Sequence, residues 1–195
     1  MTNKANQLAL LGTSADPPTH GHQVLLEGLA KLFPMVITWA SDNPFKTHNV
    51  CLSQRQELLK ILVTDLNLPN LEVNHNLSSP WALQTIEKAE LYWPDSELIL
   101  IIGSDLIDQI PTWLRSKDLL KKARLGIAPR DGWPIKKLAL KTITDLGGKI
   151  DLLPLNIPPA ASSSIRNKPK IVDIPKAILP TLVQKNLYGL ATTTK

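Results

Sequence analysis

The chain of 195 residues lacks several features that mark particular classes of protein. A single cysteine, Cys51, excludes an internal disulfide bond and favours a reducing compartment such as the cytoplasm. The longest purely apolar run, residues 98–102, is far too short to cross a bilayer, and the first residues have no signal-peptide core. Aromatic residues are only 5% of the chain and are not interleaved with basic ones. We therefore expect neither a membrane nor a nucleic acid as a partner.

Apolar residues, at 43% of the chain, are numerous enough for a sizeable core. This amount fits one domain, residues 1–195, in which residues from about 160 to 195 form a small C-terminal helical segment. The net charge of +5 suits a protein that handles phosphates, although it is also ordinary for a domain that binds none. The sequence leaves the oligomeric state open, with a homo-oligomer as one alternative.

Strand patterns alternate with helical patterns along the chain. The predicted strands are residues 7–11, 35–40, 71–74, 97–102, 124–128 and 149–153, and the predicted helices are 20–33, 54–66, 81–92, 106–109, 117–122 and 135–146. Ser53 and Gln56 are predicted to form a capping box, and Ser116 to cap a later helix. The alternation predicts an α/β fold, a Rossmann-like parallel sheet flanked by helices. Ligands of such sheets bind beyond the carboxyl ends of the strands.

The segment LALLGTSADPPTHGH, residues 8–22, reads as a strand, a tight loop and the start of a helix. Gly12 lets the backbone approach a ligand closely, and Thr13, Ser14 and Thr19 add N–H and hydroxyl donors. Thr19 is the predicted N-cap, which makes His22 the third residue of the helix. Because a helix N-terminus attracts anions, the segment predicts a phosphate site that contains a titratable donor, His22.

Part of this segment, GTSADPPTHGH, resembles the signature G-x-[TS]-F-[DN]-P-x-[HT]-x-G-H of the nucleotidyltransferase superfamily. Thr19 and His22 fill its two key positions, and Gly21 matches the glycine between them. Ala15 stands where the superfamily usually has Phe, a departure that is expected to affect packing rather than phosphate contacts. The resemblance implies that this segment binds ATP.

Residues 98–120 resemble the I-G-A-D-x-x-x-x-L-P-x-W-x-x-x-x-x-L block of bacterial nicotinate-mononucleotide adenylyltransferases. Gly103 makes a turn after a buried strand, and Asp105 at the next helix start can accept hydrogen bonds from ribose hydroxyls. Pro111 is predicted to end that helix, and Trp113 follows in a loop. An indole in such a place can stack on a flat ring. In the family this Trp stacks on the nicotinate ring, which the resemblance implies for Trp113.

Three further residues are candidates for binding the second substrate. Lys46 follows the second strand, in a loop where the superfamily often has a Lys that holds the acceptor's phosphate. Thr85 persists in a region that reads S-Y-T-I-D-T-L in the family and helps to seat the pyridine nucleotide, although Gln84 here replaces the Asp. Arg130, after the fifth strand, is a fixed cation that could approach substrate phosphate or base, with a plain surface turn as the alternative.

The segment AASSSIRNK, residues 160–168, resembles I-S-S-T-x-I-R, the second signature of the superfamily. Ser162 and Ser163 stand for the second Ser and the Thr, Arg166 agrees, and Ala161 replaces the first Ser. Hydroxyl groups at a short helix start, with an Arg three residues on, predict a second anion site.

Taken together, the resemblance implies an adenylyltransferase that joins ATP, bound with Mg²⁺, to nicotinate mononucleotide, giving deamido-NAD and pyrophosphate. It assigns His22, beside Thr19, to the α-phosphate, and Ser163 with Arg166 to the β- and γ-phosphates. Two alternatives remain open. One is the same chemistry on another acceptor, nicotinamide mononucleotide or phosphopantetheine. The other is a nucleotide-binding module without turnover, which the departures at Ala15, Gln84 and Ala161 would favour.

Overall fold

A computed structural model describes residues 6–43, 46–155, 157–158, 162–167 and 169–190. Six strands form one sheet in the order β3-β2-β1-β4-β5-β6, and every neighbouring pair is parallel. The strands are β1 (Gln7–Thr13), β2 (Met35–Ala40), β3 (Leu71–Val73), β4 (Glu97–Gly103), β5 (Arg124–Ala128) and β6 (Ile150–Leu152). The predicted α/β parallel sheet is therefore confirmed.

Helices cover both faces of the sheet. They are α1 (His20–Leu32), α2 (Leu52–Leu66), α3 (Ala82–Tyr92), α4 (Ser116–Lys122), α5 (Lys137–Asp145), α6 (Ser162–Asn167) and α7 (Leu179–Gln184). Alternate residues of β1 point to opposite faces. Leu11 packs with residues of α1 and α2, whereas Leu10 packs with residues of α3, α4 and α5. None of the helices in the described part of the chain is long and apolar enough to cross a membrane.

The position of β1 in the sheet determines where a ligand can bind. The chain leaves β1 through α1 to reach β2 on one side, whereas β4 pairs with the other side of β1. The connections from the two halves of the sheet therefore diverge at the carboxyl ends of β1 and β4. This divergence opens a crevice of the kind in which parallel α/β sheets bind their ligands.

The first strand extends further than the sequence predicts. It was expected to break at Gly12, but β1 continues to Thr13, and Gly12 pairs in register with Trp39 of β2. A Cβ atom on Gly12 would lie 2.7 Å from Cζ2 of Trp39. Glycine at this position therefore makes room for a buried indole within the sheet, a packing role that the sequence did not indicate.

Two predicted helix caps are wrong. Helix α2 begins at Leu52, so Ser53 lies within its first turn, and the N-cap residue Cys51 makes no side-chain cap bond. Likewise Ser116 is the first residue of α4, and the N-cap is Arg115, whose φ of 54° is left-handed. The hydroxyl of Ser116 instead donates to the Pro111 carbonyl at 3.2 Å.

Two predicted helical stretches form shorter or tighter pieces. Residues 104–112 are a 3₁₀-helix that contains Pro111, so this proline does not end the helix as predicted. The C-terminal stretch is divided among α6, α7 and three short 3₁₀ turns at Ile171–Asp173, Lys176–Ile178 and Leu187–Gly189. Its buried apolar residues, Ile165, Ile174, Ile178 and Leu182, belong to the core that also includes residues of α1 and α2.

Candidate active site

Thr19 and His22 cap each other at the start of α1. Thr19 is the N-cap, with extended φ of −121°, and its Oγ accepts from the backbone N–H of His22 at 3.4 Å. In return, the backbone N–H of Thr19 donates to Nδ1 of His22 at 3.0 Å. This is a capping box in which an imidazole does what a Glu or Gln side chain usually does. Because Nδ1 accepts, the neutral ring carries its proton on Nε2.

The electrostatic surroundings of His22 keep its ring neutral. Burial, followed by the positive charges of Arg130 and Lys46, lowers the pKa of His22 from 6.5 to about 4. The two cations come from the loops after β5 and β2, yet both lie near enough to act on this imidazole. Three residues predicted separately from the sequence therefore converge, and at neutral pH the imidazole offers a single Nε2–H donor.

A small network joins the ends of β4 and β5. Asp105 accepts from Nη1 of Arg130 at 3.0 Å. The hydroxyl of Ser104 accepts from the Arg130 backbone N–H at 3.0 Å and donates to the Trp133 carbonyl at 2.8 Å. A Cβ on Gly103 would collide with Oδ1 of Asp105, so glycine lets the carboxylate lie where it does. The turn that carries Arg130 is thus fastened to the start of the 3₁₀-helix.

Trp133 is an aromatic residue of this edge that the sequence analysis missed. Trp133 is 55% exposed, and its backbone forms an antiparallel bridge with the backbone of Arg130. Gly132, with φ of +82°, makes the turn that brings the two residues together. The signal available in the sequence was a Trp directly after the RDG turn that follows the fifth strand. The predicted Trp113 is half-buried after the 3₁₀-helix and packs against the core beneath α3 and α4.

Helix α6 docks on the loop that precedes α1. The Ser162 hydroxyl donates to the Pro17 carbonyl at 2.8 Å, and Nη1 of Arg166 donates to the Asp16 carbonyl at 2.9 Å. The second signature therefore lies against the first, as the sequence analysis requires. Ser163 is exposed, whereas the proton of the Ser162 hydroxyl is used in the docking contact. Ala161 lies outside the described residues.

Asp16 is a buried carboxylate that the sequence analysis did not single out, and it has no exposed surface. Its Oδ1 accepts from the Tyr188 hydroxyl at 2.7 Å, and its Oδ2 accepts from the Asn49 backbone N–H at 2.9 Å. His48 places Nδ1 3.4 Å from the same Oδ2. Burial, together with the contact to Asp16, raises the pKa of Tyr188, so this hydroxyl remains a donor. Three chain segments thus meet at one side chain.

Arg55 of α2 was also missed, although among the described residues it is the largest fully buried side chain with a charge. Its Nη1 donates to the Ser14 carbonyl at 2.9 Å and to the Ser41 carbonyl at 2.7 Å. Its Nη2 lies 3.3 Å from Oδ1 of Asp42. Arg55 therefore ties the loop after β1 to the loop after β2. An Arg in a helical pattern is normally a solvent-exposed residue, so no signal in the sequence distinguished Arg55.

The remaining predicted residues have mixed environments. Oγ of Thr13 accepts from the Ala15 backbone N–H at 3.3 Å, and Oγ of Ser14 is buried with no hydrogen-bond partner among the described residues. Gly21 is buried within the first turn of α1. Thr85 is only 3% exposed, and its hydroxyl donates to the Leu77 carbonyl at 3.0 Å. The Thr85 hydroxyl is thus used within the fold, and the predicted part of Thr85 in acceptor binding stays a prediction.

The sequence and the fold of this chain are similar to those of known proteins. Residues 10–168 match the family model described as "Cytidylyltransferase-like". A Synechocystis sp. protein described as "Probable nicotinate-nucleotide adenylyltransferase" is 36% identical over 197 residues, which cover 93% of this chain and 98% of that protein. A Helicobacter pylori protein of the same description is 30% identical over a match that covers 67% of this chain and 78% of that protein.

Among solved structures, a nicotinic acid mononucleotide adenylyltransferase from Plasmodium falciparum, complexed with NaAD, superposes with a TM-score of 0.80. The match covers 95% of this chain and 98% of that one at 19% identity. At this level of identity the likeness shows that the fold is shared.

Proposed function

We propose that this chain, which belongs to the cytidylyltransferase-like family and to the nicotinate-nucleotide adenylyltransferases within it, joins ATP to nicotinate mononucleotide. The products would be deamido-NAD and pyrophosphate, in the cytoplasmic synthesis of NAD. The observation that carries the proposal is the imidazole of His22, which the Thr19 backbone N–H holds at the start of α1, next to the loop on which Arg166 of α6 docks. A site of this kind suits a reaction in which negative charge accumulates on phosphate oxygens.

In this reaction the acceptor's phosphate oxygen attacks the α-phosphorus of ATP in line, and pyrophosphate leaves. The nucleophile is already ionised, so the protein need not remove a proton from it. His22 donates its Nε2–H to an α-phosphate oxygen as charge rises there. The bond from the Thr19 backbone N–H to Nδ1 holds the ring in the required tautomer and orientation. Positioning and charge stabilisation then supply the catalysis.

The cations divide between the two substrates. Lys46 is the proposed ligand of the acceptor's phosphate, since it is exposed at the crevice and its charge reaches His22. Arg166 and Ser163 are the proposed ligands of the β- and γ-phosphates. Arg166 uses one N–H on the Asp16 carbonyl, and a guanidinium has five N–H groups, which leaves donors for a phosphate.

The ends of β4 and β5 are proposed to hold the sugar and the bases. Asp105 presents a carboxylate beside Gly103 that can accept from ribose hydroxyls, while Arg130 holds that carboxylate in place. Trp113 is the proposed stacking partner of the pyridine ring.

The proposed Mg²⁺ enters with ATP. Among the described residues, no group of three or more His, Cys, Asp or Glu side chains is placed to hold a metal. Mg²⁺ usually keeps several waters and binds through substrate phosphates rather than in a cage of protein ligands. When bound, the ion would neutralise charge on the polyphosphate, while Arg166 and Ser163 orient the leaving group.

The sequence at the start of α3 differs from the pattern of the family, which is a reason to test other acceptors as well. At the start of α3 the Ser79 hydroxyl donates to Oε1 of Gln84 at 2.6 Å, in the region where the family has an Asp. This local difference lies where the pyridine nucleotide is expected to bind, so the amide form of the acceptor is the second candidate.

The test is pyrophosphate release from ATP and Mg²⁺ with three acceptors in parallel: nicotinate mononucleotide, nicotinamide mononucleotide and phosphopantetheine. We expect nicotinate mononucleotide to give the highest kcat/KM. A preference for either of the other two would keep the chemistry and change the substrate. Tight ATP binding with no pyrophosphate released by any acceptor would identify a binding module instead.

A further inference from the structure

Asp16 is the point at which segments that serve different substrates meet. Its Oδ2 binds the backbone of the segment after β2, its carbonyl binds Arg166 of α6, and its Oδ1 binds Tyr188 near the end of the described chain. Nη1 of Arg166 also lies 3.9 Å from Oδ2. No other carboxylate in the described part of the chain is fully buried, so this one depends wholly on its partners.

The segment after β2 carries the cation proposed for the acceptor. Lys46 is exposed, and its backbone N–H bonds only locally, to the Asn43 carbonyl at 3.1 Å. Three residues later, the Asn49 backbone N–H donates to Oδ2 of Asp16. This bond therefore anchors the segment that carries Lys46 on its C-terminal side, while Arg55 holds the N-terminal side through Ser41 and Asp42.

The ATP side depends on the same residue. Helix α6 has six residues, too few to be stable alone, so its position comes from its docking contacts. These contacts are the bond from Ser162 to Pro17, the bond from Arg166 to Asp16, and the buried side chain of Ile165. The guanidinium proposed for the leaving phosphates is thus held by the residue that also anchors the acceptor segment.

A buried carboxylate that loses a donor leaves an unsatisfied charge, which is costly. A displacement of the segment after β2 removes the Asn49 donor from this carboxylate and so disturbs the residue whose backbone carbonyl holds Arg166. A substrate that fixes one segment stabilises Asp16 in the position that fixes the other. We propose that Asp16 is a positioning residue that couples the two substrate subsites. Bound ATP then strengthens the binding of the acceptor, and bound acceptor strengthens the binding of ATP.

This inference rests on the proposed function. Its test measures the affinity for nicotinate mononucleotide with and without a saturating ATP analogue that has a methylene bridge between its α- and β-phosphorus atoms. The coupling is the ratio of the two dissociation constants. We expect a ratio of about 5 or more in the wild-type chain, in the usual range of coupling between sites, and about 1 in Asp16→Ala.

The ratio separates coupling from a structural defect. In a variant that is merely less stable, the bound ATP analogue refolds any unfolded fraction, so the ratio of the two dissociation constants stays at the wild-type value or rises. A fall of this ratio toward 1 therefore reports a loss of coupling. Glu57→Ala is the matched control, since Glu57 is an exposed carboxylate that also ties α2 to the C-terminal segment, through Lys185. We expect this control to keep the wild-type ratio.

A milder variant keeps the test decisive if Asp16→Ala does not fold. Tyr188→Phe removes one donor from Oδ1 of Asp16 and keeps the ring, so we expect a ratio between that of the wild-type chain and 1. A wild-type ratio of 1 with normal turnover would overturn the coupling but not the proposed function. An unchanged ratio in Tyr188→Phe and in any folded Asp16→Ala would also overturn it. Failure of the wild-type chain to bind either ligand would instead refute the proposed function.

Discussion

The backbone N–H of Thr19 donates to Nδ1 of His22 at 3.0 Å, and this bond fixes the tautomer of the neutral imidazole. The Thr19 hydroxyl is also close to Nδ1, at 2.8 Å. With Nδ1 engaged on the helix side, Nε2–H is the only donor of the neutral ring. The N-cap of α1 therefore orients the group proposed to stabilise the transition state, which links a helix-capping interaction to catalysis.

Replacing His22 by Ala should lower kcat by about 10²–10³-fold, the usual effect of losing one preorganised donor. The cap would keep the Thr19 hydroxyl bond, so the fold should remain. Steady-state pyrophosphate release and a thermal melt would measure the two effects. His20→Ala is the control, since His20 is the exposed first residue of the same helix. Near-normal turnover by His22→Ala would remove the imidazole from the mechanism.

The imidazole of His22 should stay neutral well below the pH at which histidine usually titrates. Burial and two cations hold its pKa at about 4, so an NMR titration of the free protein should show its ring signals shifting near that pH. Lys46→Met should raise this pKa, but not to 6.5, because burial is the larger cause. Lys31→Met, at the other end of α1, should leave the pKa unchanged. A ring that titrates at its ordinary pKa would contradict the convergence of the three residues.

The same low pKa makes stability depend on pH. In the unfolded chain His22 titrates near 6.5, so between 6.5 and about 4 the unfolded state takes up the proton first. The free energy of unfolding should therefore fall as the pH is lowered through this range. Urea unfolding at neutral pH and at about pH 5 should show a smaller loss in His22→Gln than in the wild-type chain. Equal losses in both proteins would mean that His22 is not protonated on unfolding.

Ser104→Ala should weaken the binding of ATP. The substitution leaves the Arg130 backbone N–H and the Trp133 carbonyl without their shared partner, and it loosens the turn that holds Arg130 against Asp105. An effect of about 1–2 kcal/mol, typical of such bonds, would raise the KM for ATP by about 5–30-fold with a smaller change in kcat. Thr142→Val, which removes an exposed helix hydroxyl, should leave both constants unchanged. An unchanged KM would show that the turn is held by other contacts.

Arg55→Met should destabilise the fold. It leaves the partly buried carbonyls of Ser14 and Ser41 without their donor, and the loss of such bonds typically costs about 1–3 kcal/mol. Urea unfolding would show the loss, with Lys60→Met on the exposed face of the same helix as the control. An equal effect of the two substitutions would contradict the role of Arg55 as a tie between loops.

The sequence predicted the fold best where local chemistry determines the structure. The bounds of β2 and β5 agree with the prediction because each is an apolar run ended by turn-forming residues. Thr19 was correctly predicted as an N-cap, since a hydroxyl before a helical pattern satisfies a free N–H whatever packs around it. The cap predicted at Ser53 is wrong because helix α2 starts one residue before it.

The buried polar residues could not be predicted in the same way. Asp16 and Arg55 each bind groups from loops that are far apart in sequence, and only the assembled sheet shows which loops converge. Trp133 was missed because its proximity to the site depends on the turn fastened by Ser104. The contacts of the predicted site residues with substrate, and the extent of the domain, remain predictions.

The fit of Gly12 against Trp39 constrains how this sequence can evolve. The two residues are register partners on adjacent strands, and the indole is almost fully buried. Any side chain gained at position 12 must be matched by a smaller ring or an aliphatic residue at position 39, so the two positions should covary. A lineage that kept the tryptophan would therefore keep the glycine, whether or not a phosphate ever approaches it.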